Sequence, residues 1–232
     1  MIEAKMAYGQ RAFENSHQPS DVVDQYLRSE VWDSSKIADF VSFWSERLWL
    51  TIDGMHQRVE SVFTNILNAP NPDVEIIRKS LKTKNPRWRN TEVNRIAPIV
   101  RQFLIRNGAQ NLNQMDHHHN FQNELGEIGP VLTIWCHYLI DPISFPPIDK
   151  FNYTAWQFIT QSPQNIPTQV PMNFKYTPVG GLDTDYQCFR EWFIGITNDW
   201  RNGHQTVRDV VNFDRSLMSL GAFIQKNILR CP

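Results

Sequence analysis

The spacing of its apolar residues constrains this chain more than any other feature. In "SSKIADFVSFWSERLWL" (34–50), Ile37, Phe40, Val41, Trp44 and Leu48 recur at three- and four-residue steps, which places them on one face of a helix. Ser34 or Ser35 suits the N-cap of that helix. "HQRVESVFTNILN" (56–68) repeats the pattern with Val59, Val62, Phe63, Ile66 and Leu67. "PDVEIIRKSLK" predicts a short helix with Pro72 or Asp73 at its start, and "TEVNRIAPIVRQFLIRNG" another that ends near Gly108. Pro98 either kinks this helix or marks its start. "DYQCFREWFIGITNDWRN" and "TVRDVVNFDRSLMSLGAFIQKNIL" return to helical spacing, and no alternating set of strands appears. The fold class expected is all-α, in one domain or two small lobes sharing a core, for a chain of 232 residues.

A chain that is 41% apolar and 12% aromatic can bury a core, which argues against disorder. No apolar run is long enough to span a membrane, and the N-terminus carries no apolar segment of the secretory type. Cys136, Cys188 and Cys231 are scattered, with no CxxC spacing. These features predict a cytoplasmic protein without a membrane partner. Charge is uneven. Residues 78–106 carry nine Lys or Arg against one acid, Glu92, a density suited either to neutralising phosphates or to a solvated face. Residues 162–185, with Pro163, Pro167, Pro171, Pro178, Gly180 and Gly181, form a loop-rich stretch too long for an ordinary connector.

Chemistry concentrates in "ELGEIGPVLTIWCHYLIDPISFPPIDKFNYTAW" (124–156). Leu125-Gly126-Glu127-Ile128-Gly129-Pro130 predicts a tight turn between two helices. Gly129 is the residue expected at φ > 0, and Pro130 is expected to open the next helix. Backbone amides beside a helix N-terminus form a natural phosphate cradle. A helix-length apolar segment and a proline-bounded loop then lead to Asp149, 18 positions beyond Val131. Asp149 precedes a helical pattern and is expected at its N-cap, where amides and the helix dipole favour the ionised acid.

These residues resemble the signature of the helix-hairpin-helix DNA glycosylase superfamily, which includes endonuclease III, MutY-type enzymes and 8-oxoguanine glycosylase. Leu125, Ile128 and Gly129 match the hairpin, and Asp149 matches the aspartate that assists cleavage of the base–sugar bond. The resemblance covers about 35 residues and implies two helical lobes with the active site in the cleft between them. It implies one glycosylase-like unit over 1–232, with the hairpin and catalytic motif in 117–160. The hairpin positions Gly126, Ile128, Gly129 and Val131 would then bind DNA phosphate.

The departures carry their own expectations. Val131 stands where bifunctional members have a Schiff-base lysine, and valine can form no imine. A monofunctional glycosylase follows, with water as nucleophile. Lys150 stands on the other arm of the motif. Glu127 replaces the first hairpin glycine, Gly126 lies one place earlier, and Phe151 stands where many relatives have His. The iron–sulfur cysteines of endonuclease III are missing, so no cofactor is expected.

The implied partner is double-stranded DNA with a damaged or modified base flipped into a pocket, bound by a monomer. Trp44, Trp49, Trp88, Trp135 and Tyr138 are the candidate pocket aromatics, although side chains of this kind are more often core than pocket. Lys82, Lys84, Arg87 and Arg89 are the candidate backbone contacts. The activity would serve base-excision repair or the removal of modified bases from foreign DNA. The alternatives are a DNA-binding module of this fold without catalysis, or a helical protein-interaction domain. His117-His118-His119 suggests a metal, but consecutive helical residues point to different sides. The triplet is therefore expected to be a solvated helix start capped by Asp116, with no metal.

Overall fold

The structure is a computed structural model that describes residues 34–45, 71–107, 114–160 and 185–225. The predicted helix over 56–68, Trp49, Cys231 and residues 162–184 of the loop-rich stretch lie outside the described residues. The described residues contain eight α-helices and no strand, so the chain is all-helical there, as its apolar spacing predicts. In chain order these are α1 Ser34–Ser45, α2 Val74–Lys84, α3 Asn90–Asn107, α4 Gln114–Leu125, α5 Pro130–Ile140, α6 Lys150–Thr160, α7 Asp185–Trp200 and α8 Val207–Phe223. Among the described residues, no helix is long and apolar enough to cross a membrane. The described residues fall into two compact units.

The first unit holds α1, Asp149 with α6, the end of α7, and α8. The α8 helix packs on both α1 and α6. Ile37, Phe40, Val41 and Trp44 form the buried face of α1, as their spacing requires. Phe40 meets Phe213 at 5.9 Å between ring centroids, and Trp44 meets Phe223 edge-on at 5.7 Å. Ser34 is the first residue of α1, and its hydroxyl donates to Asp199 O at 2.8 Å. The start of α8 is fixed by a capping box. Thr206 accepts from the Asp209 amide, and the Asp209 carboxylate accepts from the Thr206 amide. Arg201 also donates to Asp209. These bonds outweigh the burial of Asp209 and hold its carboxyl below the usual range.

The α8 helix comes very close to the first turn of α6. A Cβ built on Gly221 would lie 1.9 Å from Phe151 O. Only glycine permits this approach.

The second unit holds α2 to α5 and the first part of α7. The α3 helix contacts α2, α4 and α5, and it buries Val93, Ile96, Ala97, Val100 and Phe103. Pro98 lies inside α3, which runs through it without a break. Pro98 removes the donor for the carbonyl of Asn94, and both residues are exposed, so water can take that carbonyl. Asp73 caps α2 by accepting from the Glu75 amide at 3.0 Å. The α5 helix is apolar on nearly every side, and its residues Leu132 to Ile140 are all buried.

Candidate functional site

The turn between α4 and α5 is built from its two glycines. Arg95 Nη1 donates to Leu125 O at 2.8 Å and so satisfies a carbonyl that the end of α4 leaves open. Gly126 follows with φ +66. A Cβ there would meet only Arg95 Nη1, at 3.9 Å, so glycine is needed for conformation rather than for space. Gly129 has φ −61 and ψ 146. The positive φ expected at Gly129 therefore belongs to Gly126. The cause is Pro130, whose ring forces the preceding residue into extended backbone.

Gly129 is the N-cap of α5 without a side-chain cap, and Pro130 begins the helix. Thr133 N donates to Gly129 O at 3.0 Å. The first-turn amides of Val131 and Leu132 precede that bond and have no carbonyl within the helix to reach. Gly126, Glu127 and Gly129 are exposed, while Ile128 and Val131 are half-buried. The Glu127 carboxylate thus faces water.

The chain from α5 to Ile148 is pinned within the second unit. Asp141 Oδ1 accepts from Ser144 N at 3.1 Å, Tyr186 Oη donates to Pro146 O at 2.9 Å, and Arg190 Nε donates to Ser144 O. Asp149 opens the portion of chain that belongs to the first unit. It is half-buried and stands immediately before α6. Its Oδ1 accepts from Phe151 N at 2.8 Å and from Asn152 N at 3.2 Å, and its carbonyl accepts from Tyr153 N at 2.9 Å. Asp149 is therefore an N-cap with its carboxylate held by two amides. Lys150 is exposed and lays its Nζ over the Phe151 ring at 4.6 Å.

The basic residues divide into two kinds. Lys82 Nζ donates to Pro86 O at 3.3 Å and to Trp88 O, closing the turn after α2. Lys84 Nζ lies 4.9 Å from the centroid of the Trp135 ring. Arg87 and Arg89 are exposed. Trp135 and Tyr138 are buried in the second unit with ring centroids 5.1 Å apart, Trp44 is buried in the first unit, and Trp88 is half-buried. The structure therefore brings Lys84, Trp135 and Tyr138 together.

The histidine triplet differs from its expectation. The α4 helix begins at Gln114, so Asp116 lies inside it rather than before it. His117 and His118 are buried and only His119 is exposed. The physical reason is helical phase. His117 lies four residues before Phe121, and His118 lies three before Phe121 and seven before Leu125, so both histidines share the apolar face. His117 packs on Phe103 at 4.9 Å. His118 Nδ1 lies 2.9 Å from His137 Nδ1, and His118 Nε2 lies 3.3 Å from Asp141 Oδ2. His137 Nε2 lies 3.1 Å from Gln122 Oε1. Burial, reinforced by His118 and Arg190, pushes His137 well below the usual histidine value. Burial, then His118 and Arg106, lowers His117 in the same sense. The one local signal for this cluster was His137 itself, set in the otherwise apolar α5. Among the described residues, no group of three His, Cys, Asp or Glu side chains is arranged to hold a metal ion.

No protein-family model, curated protein or solved structure matches the chain.

Proposed function

We propose that this chain is a monofunctional DNA glycosylase of the helix-hairpin-helix type. The reading rests on one observation above the others. Asp149 is a half-buried carboxylate that two amides hold at the head of α6. It follows a glycine turn and an α5 N-terminus with no side-chain cap, in the order and at the spacing of the motif.

In the reaction, the electron pair of the base–sugar bond leaves with the base. Positive charge builds at C1′, and a water oxygen adds there while its proton passes to the departing base, which leaves as the neutral base. An ionised Asp149 stabilises the sugar cation and orients that water. Val131 offers no amine, so no covalent imine forms on it. The amides at the turn and at the start of α5 take a DNA phosphate. Arg87 and Arg89 contact the backbone, and Glu127 turns to solvent. The partner is duplex DNA with a flipped damaged or modified base, bound by a monomer in the cytoplasm, in repair or in the removal of modified bases from foreign DNA.

The test uses duplexes that carry a panel of damaged and naturally modified bases, with alkali to reveal abasic sites. Release of a base by the wild type, its loss in Asp149→Asn, and no adduct trapped by borohydride are expected. Asparagine caps a helix about as well as aspartate, so this variant removes the charge and spares the fold. Activity that survives Asp149→Asn overturns the mechanism, and a trapped adduct overturns the monofunctional reading. Salt-dependent duplex binding without release of any base would leave a binding module of the same fold.

A further inference from the structure

Asn152 links Asp149 to a second carboxylate. Its backbone amide donates to Asp149 Oδ1 at 3.2 Å, and its side-chain Nδ2 donates to Asp214 Oδ1 on α8. Both side chains of the second bond are buried, Asn152 at 1% exposure and Asp214 at 8%. A carboxylate in such a place is costly unless it is hydrogen-bonded, and a bond to an ionised acceptor is stronger than a neutral one. Seven residues further along α8, on the same face, Gly221 lies against Phe151 O. The α8 helix thus fixes both residues whose amides hold Asp149, one through a hydrogen bond and the other through close backbone contact.

We propose that Asp214 is a positioning residue for Asp149, acting through Asn152. Its carboxylate holds the Asn152 side chain, which sets the first turn of α6 so that the Phe151 and Asn152 amides meet Asp149 Oδ1. For its catalytic consequence this rests on the glycosylase reading. The positional claim stands apart from that reading and can be measured without it. Asp209, the neighbouring acid on α8, is taken up by its capping box and by Arg201, so Asp214 is the acid of α8 that reaches α6.

The experiment compares Asp214→Leu, which removes the acceptor, with Asp214→Asn, whose side-chain oxygen still accepts from Asn152. Two quantities are read on the full chain. The first is hydrogen exchange of the Phe151 and Asn152 amides by NMR. The second is the kcat and KM of base release from duplex DNA.

In Asp214→Leu those two amides should exchange about tenfold faster, the factor carried by one lost hydrogen bond, while Phe158 and Ile159 later in α6 keep their protection. The kcat should fall with KM unchanged, and Asp214→Asn should restore both readings to near the wild type. A general loss of packing would instead raise exchange along all of α6, and Asp214→Asn would not correct it selectively. Unchanged exchange at Phe151 and Asn152 in Asp214→Leu overturns the proposal, as does a fall in activity carried by KM alone. If Asp214→Leu does not fold, Asn152→Ala removes the donor instead, and the amides of residues 151 and 152 are read in the same way. A wild type that releases no base defeats the glycosylase reading, and the exchange data still decide the role of Asp214.

Discussion

The Nδ1 atoms of His118 and His137 face each other at 2.9 Å inside the second unit, and this contact makes the surrounding network directional. One of the two atoms must donate and the other accept. With Gln122 Oε1 toward His137 Nε2, His137 donates there and its Nδ1 accepts from His118. His118 Nε2 then faces Asp141 Oδ2 at 3.3 Å. With the Gln122 amide turned to present its nitrogen, the Gln122–His137 and His137–His118 bonds reverse, and His137 Nδ1 donates to His118 Nδ1. In both patterns His137 is uncharged, in keeping with its lowered pKa.

That requirement predicts acid sensitivity. His137 and His117 have folded pKa values below the unfolded histidine value of about 6.5. Between the folded and unfolded values the unfolded chain binds more protons. Stability is therefore fully present above about pH 6.5 and falls as pH drops below it. The ceiling is about 1.4 kcal/mol per pH unit for each proton taken up on unfolding. His118 and Arg190 oppose a charge on His137, His118 and Arg106 oppose one on His117, and Asp141 favours both. Urea unfolding at pH 7.5, 6.5 and 5.5 should show the decline. His117→Leu should flatten it, because it removes one of these groups and leaves the contact between His118 and His137 in place. An unchanged slope in His117→Leu would refute the assignment.

Gly126 and Gly129 should respond differently to alanine. Gly126→Ala forces a Cβ into the left-handed region and should cost about 1–2 kcal/mol. Gly129→Ala meets no atom within 4 Å and keeps an ordinary φ, so it should lose only the N-cap preference of glycine over alanine, about 0.5 kcal/mol, and less than Gly126→Ala. Chemical denaturation of the two variants side by side checks this. Equal losses would mean that the turn is not held by the φ of Gly126.

The basic segment should separate into binding and structural residues. On the proposed DNA-binding reading, Arg87→Ala and Arg89→Ala, both at exposed positions, should each weaken duplex binding and lower the slope of log affinity against log salt by about one, with little change in stability. Lys82→Met should instead cost about 1 kcal/mol of stability, because it removes the donor to Pro86 O and Trp88 O. Salt titrations of binding together with melting curves distinguish the two effects. A full salt slope in the Arg87→Ala, Arg89→Ala double variant would remove these residues from the interface.

Where the chain becomes helical is legible because the signal is local. Ile37, Phe40, Val41 and Trp44 announce the buried face of α1 by spacing alone, and Asp73 and Asp149 stand where an N-cap is expected. Contacts made by residues far apart in the chain are not legible in this way. The partner of His118 is 19 positions away on another helix, and the partner of Asn152 is 62 positions away. Nothing near Gly221 in sequence signals a carbonyl of α6 against it. The exchange of roles between Gly126 and Gly129 follows from Pro130, a local rule that outweighs the general freedom of glycine. For the candidate site, the position of Asp149 was legible, whereas the bonds that brace it were not.

The contact between Gly221 and Phe151 supplies the severest test of how α6 is held. A methyl group at 221 would lie 1.9 Å from Phe151 O, 2.6 Å from its carbonyl carbon and 2.9 Å from its Cα. All three are backbone atoms, so no flexible side chain can yield. The helices must separate, or the first turn of α6 must shift. Gly221→Ala should cost about 1–3 kcal/mol, the usual range for overpacking. Displacement should be greatest at the head of α6, where Phe151 and Asn152 hold Asp149, and least at its far end. Amide chemical shifts of Gly221→Ala should therefore change most at residues 149–153 and fade toward Thr160. A variant with wild-type stability and unchanged shifts at Phe151 would show that α8 does not brace the segment bearing Asp149.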